Sequence, residues 1–186
     1  ALCLIVPVCF SIAEAEDRDL WRPTISIVEE RSDGLRLLYE AKSGHADDSG
    51  FEGGEPIELN PDEIRSLICA CAIGIPLDAK VTVDVVEARV LGWSDGEFDS
   101  SVGSLRTDGP VVLAGVGLAR DQRVARLAFG PSRKDGQLLA YGRVVVDVNF
   151  DRGLTVSTPG SRQDRWGEWM YRSGVLNYEQ ARGWRQ

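Results

Sequence analysis

Gly136-Gln137-Leu138-Leu139-Ala140-Tyr141-Gly142-Arg143-Val144-Val145-Val146-Asp147-Val148-Asn149-Phe150 is the stretch on which the reading of this chain turns. Its residues alternate between two faces. Leu138, Ala140, Gly142, Val144, Val146, Val148 and Phe150 fall on one face. Leu139, Tyr141, Arg143, Val145, Asp147 and Asn149 fall on the other. Alternation of period two over this length is the pattern of a half-buried β-strand. Just upstream, Arg123 to Phe129 places Ala125, Leu127 and Phe129 on one face and Val124, Arg126 and Ala128 on the other. Between the two lies Gly130-Pro131-Ser132-Arg133-Lys134-Asp135-Gly136, a cluster of turn formers. The expectation is one long β-hairpin made of residues 123–129 and 138–150.

Strand patterns continue outward from this stretch. Pro23 to Glu30 puts Ile25 and Ile27 on one face, and Leu35 to Ala41 turns Leu35, Leu37 and Tyr39 inward. Ser32-Asp33-Gly34 joins them, a hairpin signal between two alternating apolar runs. Asn60-Pro61 reads as a helix start, with Asn60 as the cap and Pro61 in the first turn. The β-like run after it suggests a single helical turn feeding a strand. Ser66 to Ile75 then reads as a central strand with few charges, Pro76 to Ala79 as a turn, and Lys80 to Leu91 as the next strand. Residues 42–55 and 92–110 are polar, glycine-rich loops, and a loop as long as the second is usually functional or disordered. Gly115 and Gly117 read as flanking a turn before a strand, not before a helix, so they carry no phosphate-binding signature. In the tail, Trp166, Trp169 and Met170 share a helical face, and Asn177 with Gln180 resembles a capping box. Three Trp in this tail predict that it docks rather than hangs free. The predicted fold is all-β: an antiparallel β-sandwich of two sheets with a short C-terminal helical tail.

Composition bounds the function. The chain has 186 residues, 43% of them hydrophobic, and a net charge of −8. That length and composition suit one globular domain, and the acidity argues against a nucleic-acid partner. Ala1 to Ala13 is an apolar run ending in Ala13-Glu14-Ala15, which reads as the remnant of a secretory signal peptide over residues 1–15. It is short for a membrane span, so no membrane association is expected once it is removed. The expected location is secreted or in the cell envelope. Cys69 and Cys71 remain after that removal. Two apart in a strand, they share a face, with Cα atoms about 6.6 Å apart and parallel Cβ vectors, a poor disulfide geometry. Two buried free thiols are expected. Asp47, Asp48, Glu52 and Glu55 lack EF-hand spacing and read as a solvated acidic loop. His45 lies in that loop, away from the cysteines, so neither a Cys-His catalytic pair nor a metal site is expected. No nucleophile elbow, P-loop or dinucleotide fingerprint is present. The residues alone predict no catalytic set and no cofactor.

A family resemblance adds to this. Gly117-Leu118, Gln122-Arg123-Val124 and Leu127, then Pro131 and a polar turn, then Gly136, Leu138, Tyr141, Val144, Val146, Val148 and Phe150, stand in an order that resembles the propeptide domain of gingipain-type cysteine peptidases. Ile73 to Ala88 is similar to that family's strand, Pro turn and Val-rich strand. Val175 to Arg185 looks like its junction between propeptide and catalytic domain. Together these span most of residues 23–186. The resemblance implies a sandwich domain at residues 16–150 and a linker and helical junction at 151–186. It implies a partner: the cognate cysteine peptidase catalytic domain, in the same polypeptide or in trans, which the propeptide would hold inactive and help to fold. It also implies an inhibitory segment in the enzyme's substrate cleft. Arg106, in the long loop, is the candidate for the specificity pocket, with Arg89 and Arg120 as rivals. The alternative from another class is an extracellular β-sandwich module for binding or adhesion, which exposed aromatics such as Trp93 or Phe98 would favour.

Overall fold

The computed structural model describes residues 21–42, 55–95, 108–119, 122–151 and 165–184. The expected leader over residues 1–15, His45, Asp47, Asp48, Glu52, Phe98, Arg106 and Arg120 all lie outside them. The strands in chain order are β1 (Arg22–Arg31), β2 (Gly34–Lys42), β3 (Ile57–Glu58), β4 (Cys69–Gly74), β5 (Lys80–Ser94), β6 (Val111–Ala119), β7 (Gln122–Phe129), β8 (Ser132–Lys134) and β9 (Gln137–Asp151). Helix α1 (Pro61–Ser66) precedes β4. Helices α2 (Arg165–Gly174) and α3 (Tyr178–Ala181), with a 3₁₀ turn at Arg182–Trp184, form the tail. One sheet has the order β1-β2-β9-β5-β3, with β8 also on β9; the second has the order β4-β7-β6. The all-β sandwich with a helical tail is the observed architecture. Every pairing is antiparallel except that of two-residue β3 with β5.

The alternation in β9 lands as its sequence dictates. Leu138, Ala140, Gly142, Val144, Val146, Val148 and Phe150 are all buried, and the other face is half-buried. β9 lies between β2 and β5, so its apolar face is covered from both sides and from above. Leu35, Leu37 and Tyr39 of β2 join it. Across the interlayer space stand Ile73 of β4 and Ala125, Leu127 and Phe129 of β7, each wholly buried. The rings of Tyr39 and Phe129 stack with centroids 5.4 Å apart and planes 6° from parallel. The Tyr39 hydroxyl donates to the Leu67 carbonyl at 2.7 Å, which satisfies both buried groups.

The long hairpin does not form. β7 and β9 belong to different sheets and face each other through the core. The tight turn falls later, at Asp135-Gly136, where both residues take positive φ (52° and 87°) and join β8 to β9. Asp-Gly is the favoured pair for such a two-residue turn. Gly130-Pro131 instead carries the chain from one layer to the other, with the Gly130 N–H donating to the Pro110 carbonyl at 3.1 Å. Two apolar faces that must bury each other sit in opposite layers more readily than side by side.

β4 is also not central. It pairs only with β7 and lies at the margin of its sheet. Its cysteines, Cys69 and Cys71, are therefore half-buried rather than buried, although they share the face of Ile73 as alternation requires. β5 runs three residues past the expected end, to Ser94, and three register shifts along it bring Leu91 inward. Gly115 and Gly117 lie inside β6 rather than at a turn. The start of α1 follows its sequence signal: Asn60 Oδ1 accepts from the N–H groups of Asp62 and Glu63, both at 3.0 Å, and Glu63 returns the bond to the Asn60 N–H.

The outer face of the larger sheet carries a ladder of ion pairs. Arg36 grips Asp147 with two parallel bonds, Nε to Oδ1 at 2.8 Å and Nη2 to Oδ2 at 2.9 Å. Arg31 lies 3.6 Å from the same carboxylate, and Arg143 donates to Glu40 at 2.6 Å. The hydrogen bond from Arg36, with Arg31 nearby, holds the Asp147 carboxyl below its ordinary range. A carboxyl with a lowered pKa in the folded state stabilises the fold above its unfolded pKa of about 3.9, and that contribution fades as pH falls through the folded value. Wild type is therefore expected to exceed Asp147→Asn in urea midpoint at pH 7, and the gap is expected to narrow as pH falls through the lowered folded-state value. Midpoints measured from pH 7 to pH 2.5 check this; a constant gap would refute it.

Candidate functional site

The residue singled out by resemblance, Arg106, belongs to segment 96–107, outside the described residues. The two stems of that segment are well defined. On one side, β5 ends at Ser94, which is buried and paired with Leu138, and Asp95 accepts a hydrogen bond from Gln137 Nε2 at 3.0 Å. On the other side, buried Pro110 accepts from Gly130 and leads into Val111, the partner of Phe129. One stem thus belongs to the larger sheet and the other to the smaller. The two stems therefore lie in different layers, at the end of the sandwich where Gly130-Pro131 also passes between them.

The rivals separate. Arg89 sits on β5 between two register shifts, is exposed, and pairs with Glu87 on its own strand. It is an outer-face residue of the sheet, away from any loop. Arg120 lies outside the described residues. Trp93, the aromatic named for the binding-module alternative, is half-buried in β5 opposite Leu139. Among the described residues, no group of three or more His, Cys, Asp or Glu side chains is placed to hold a metal ion. Also among these residues, no helix is long and apolar enough to cross a membrane. The strongest perturbation of a titrating group other than the ion-pair ladder is at Tyr39, where burial pushes the phenol well above its ordinary value. That group stays protonated and is committed to Leu67.

The tail supplies the feature that sequence reasoning missed. Asn177 was expected to cap α3 with its side chain, but it makes no such bond. Its amide is turned onto β4 instead: Oδ1 accepts from the Gly74 N–H at 2.7 Å and Nδ2 donates to the Gly74 carbonyl at 2.9 Å. The Leu176 N–H adds a bond to the Ala72 carbonyl at 2.9 Å. One side-chain amide thereby stands in for the next strand of the sheet. A Cβ on residue 74 would collide with the Ala181 side chain, so glycine is required where the tail comes down. Tyr171, Val175, Tyr178 and Ala181 form the tail's own buried cluster with Ala119 and Val124, and the Tyr171 hydroxyl donates to the Ala119 carbonyl. Trp184 meets Phe150 edge-on at 5.5 Å. The tail docks, as its aromatic content predicted, but on a different helix face. Trp169 is 66% exposed, whereas Tyr171 is buried. No sequence signal marks Asn177 as a strand surrogate, because an Asn before a short helix always suggests a cap.

No family model matches the chain, and no curated protein does. Among solved structures, the chain is similar to the complex of the Porphyromonas gingivalis RgpB pro- and mature domains, with 15% sequence identity and a TM-score of 0.48. That alignment covers 83% of this chain and 97% of the other.

Proposed function

We propose that this chain is the propeptide domain of an exported gingipain-type cysteine peptidase, which keeps its catalytic domain latent and assists its folding. The observation that carries this reading is the order and spacing of the segments from Ile73 to Phe150 and the junction from Val175 to Arg185, which resemble that family along most of the chain. The flanking residues Ser94 and Pro110, each buried, support it. A loop held at both ends by packed strands enters a cleft at a lower entropic cost than a free one. Arg106 is then the side chain that fills the enzyme's specificity pocket, and the enzyme is one that prefers basic residues. The chain contributes no catalytic group. It acts by occupying the cleft.

The test is inhibition. The purified chain is titrated against the catalytic domain of a gingipain-type peptidase encoded in the same genome, with a basic chromogenic substrate. Competitive inhibition is expected, and Arg106→Ala is expected to weaken it by about 30-fold, corresponding to the ~2 kcal/mol of a buried interface anchor. Inhibition unchanged by Arg106→Ala would remove Arg106 from the cleft. An absence of inhibition by the folded wild-type chain would favour the extracellular binding module.

A further inference from the structure

We propose that the outer edge of β6 pairs with the same edge of a second copy of this chain, joining two three-stranded sheets into one continuous six-stranded sheet across a two-fold axis. The proposal stands apart from the propeptide reading and rests on how the four sheet edges differ.

An unpaired strand edge exposes a row of N–H and C=O groups to any passing strand, and stable proteins block such edges. Three of the four are blocked here. β1 carries Arg22, Pro23, Glu29, Glu30 and Arg31 and breaks register between Ile27 and Glu29. β3 is two residues long, follows Pro56 and pairs only with Gly92 and Trp93; the rest of that margin is β5, which carries Lys80, Asp84, Glu87 and Arg89 and three register shifts. β4 is sealed by Asn177 and Leu176. β6 carries one register shift, between Leu113 and Gly115, and none of the other devices. It is nine residues long, Val111-Val112-Leu113-Ala114-Gly115-Val116-Gly117-Leu118-Ala119, with no charge and no proline. Among the described residues, nothing pairs with its outer side. Its exposure rises along the strand: every residue from Ala114 to Leu118 is exposed, with Val116 at 41% and Leu118 at 66%.

The strand's own chemistry selects the occupant. The chain carries a net charge of −8, yet β6 contributes nothing to it. A second copy presents an identical uncharged edge, so no like charges meet strand against strand. Antiparallel pairing about a two-fold axis matches donors to acceptors by symmetry. It also lays Val116 and Leu118 of each copy along the other. The charge that opposes association lies elsewhere on the two molecules and is screened by salt, so pairing should tighten as ionic strength rises.

Sedimentation equilibrium of the full chain over a dilution series, at low and high salt, tests this. The expected result is a monomer–dimer equilibrium that shifts toward dimer in salt. Leu118→Lys and, separately, Val116→Lys are each expected to raise the dissociation constant by about tenfold or more, since an edge lysine opposes strand addition. Val28→Lys, at an exposed valine on β1, should leave it unchanged. Circular dichroism and urea midpoints establish that each variant is folded. Hydrogen exchange should show β6 amides slowing with concentration while those of β1 do not. A chain that stays monomeric across the series overturns the proposal, as does a dimer indifferent to both lysines. Protection of β6 only on adding a peptidase domain would also overturn it, in favour of that partner.

Discussion

Phe129→Ala is expected to destabilise the domain by about 3–5 kcal/mol, enough to leave it largely unfolded at 37 °C if its total stability is at the low end of the usual range. Phe129 is wholly buried and closes β7 against the Tyr39 ring. Truncation removes that ring contact and opens a cavity between two sheets whose backbones are fixed by hydrogen bonds, so the site collapses poorly. Phe129→Leu keeps most of the volume and should cost less than half as much. Tyr39→Phe, in contrast, leaves the packing intact and orphans the Leu67 carbonyl, at a cost of about 1–3 kcal/mol. Urea midpoints for the three variants, with the m-value held constant, give the ranking. Equal losses for Phe129→Ala and Phe129→Leu would show that the interlayer space is soft rather than packed.

Asn177→Ala is the second large effect, with an expected loss of about 2–4 kcal/mol, because it strips partners from a buried N–H and a buried carbonyl at Gly74 together. Asn177→Asp gives a sharper check. It keeps an acceptor for the Gly74 N–H but sets a carboxylate oxygen against the Gly74 carbonyl in a site where Asn177 is only 1% exposed. Burial and that repulsion raise the folded-state pKa of the introduced acid. The folded protein then binds the proton more tightly than the unfolded chain, so stability recovers as pH falls toward the unfolded value near 4. Asn177→Ala has no such term. Midpoints of the two variants at pH 7 and pH 4, with trypsin cleavage of the tail as a second readout, separate the cases. If the two respond alike to pH, the amide does not bridge to Gly74.

Much of the fold was legible because it rests on short-range periodicity. The inward sets Leu35, Leu37, Tyr39 and Leu138 to Phe150 follow from alternation alone. The Asn60 cap follows from residue type and spacing. What alternation cannot say is which strand a face meets. β7 and β9 carry compatible patterns, and the turn cluster between them suggested direct pairing, but a crossing at Gly130-Pro131 and a hairpin at Asp135-Gly136 fit the same seven residues. β4 looked central because it is nearly free of charge. It is shielded by the tail instead, a contact between residues about a hundred positions apart that no local pattern encodes. Trp169 followed the correct period on the wrong face, since Tyr171 and Val175 lie on the helix surface that Ala119 and Val124 cover. For the candidate site, residue types supplied Arg106 only through resemblance. The stems at Ser94 and Val111 became visible once the two sheets were in place.

The amide that seals β4 has a consequence for the order of events at birth. β4 emerges early in synthesis and meets β7 when residue 129 is available, but residue 177 comes almost fifty positions later. Until then the growing chain presents β4 as a bare, uncharged template, beside a β6 edge that is open as well. The smaller sheet passes through a stage in which both margins can recruit a neighbour, and it leaves that stage only when the last helices fold back. Such half-finished sheets aggregate when they linger. Holding the nascent chain unfolded until residue 177 has emerged shortens that exposure.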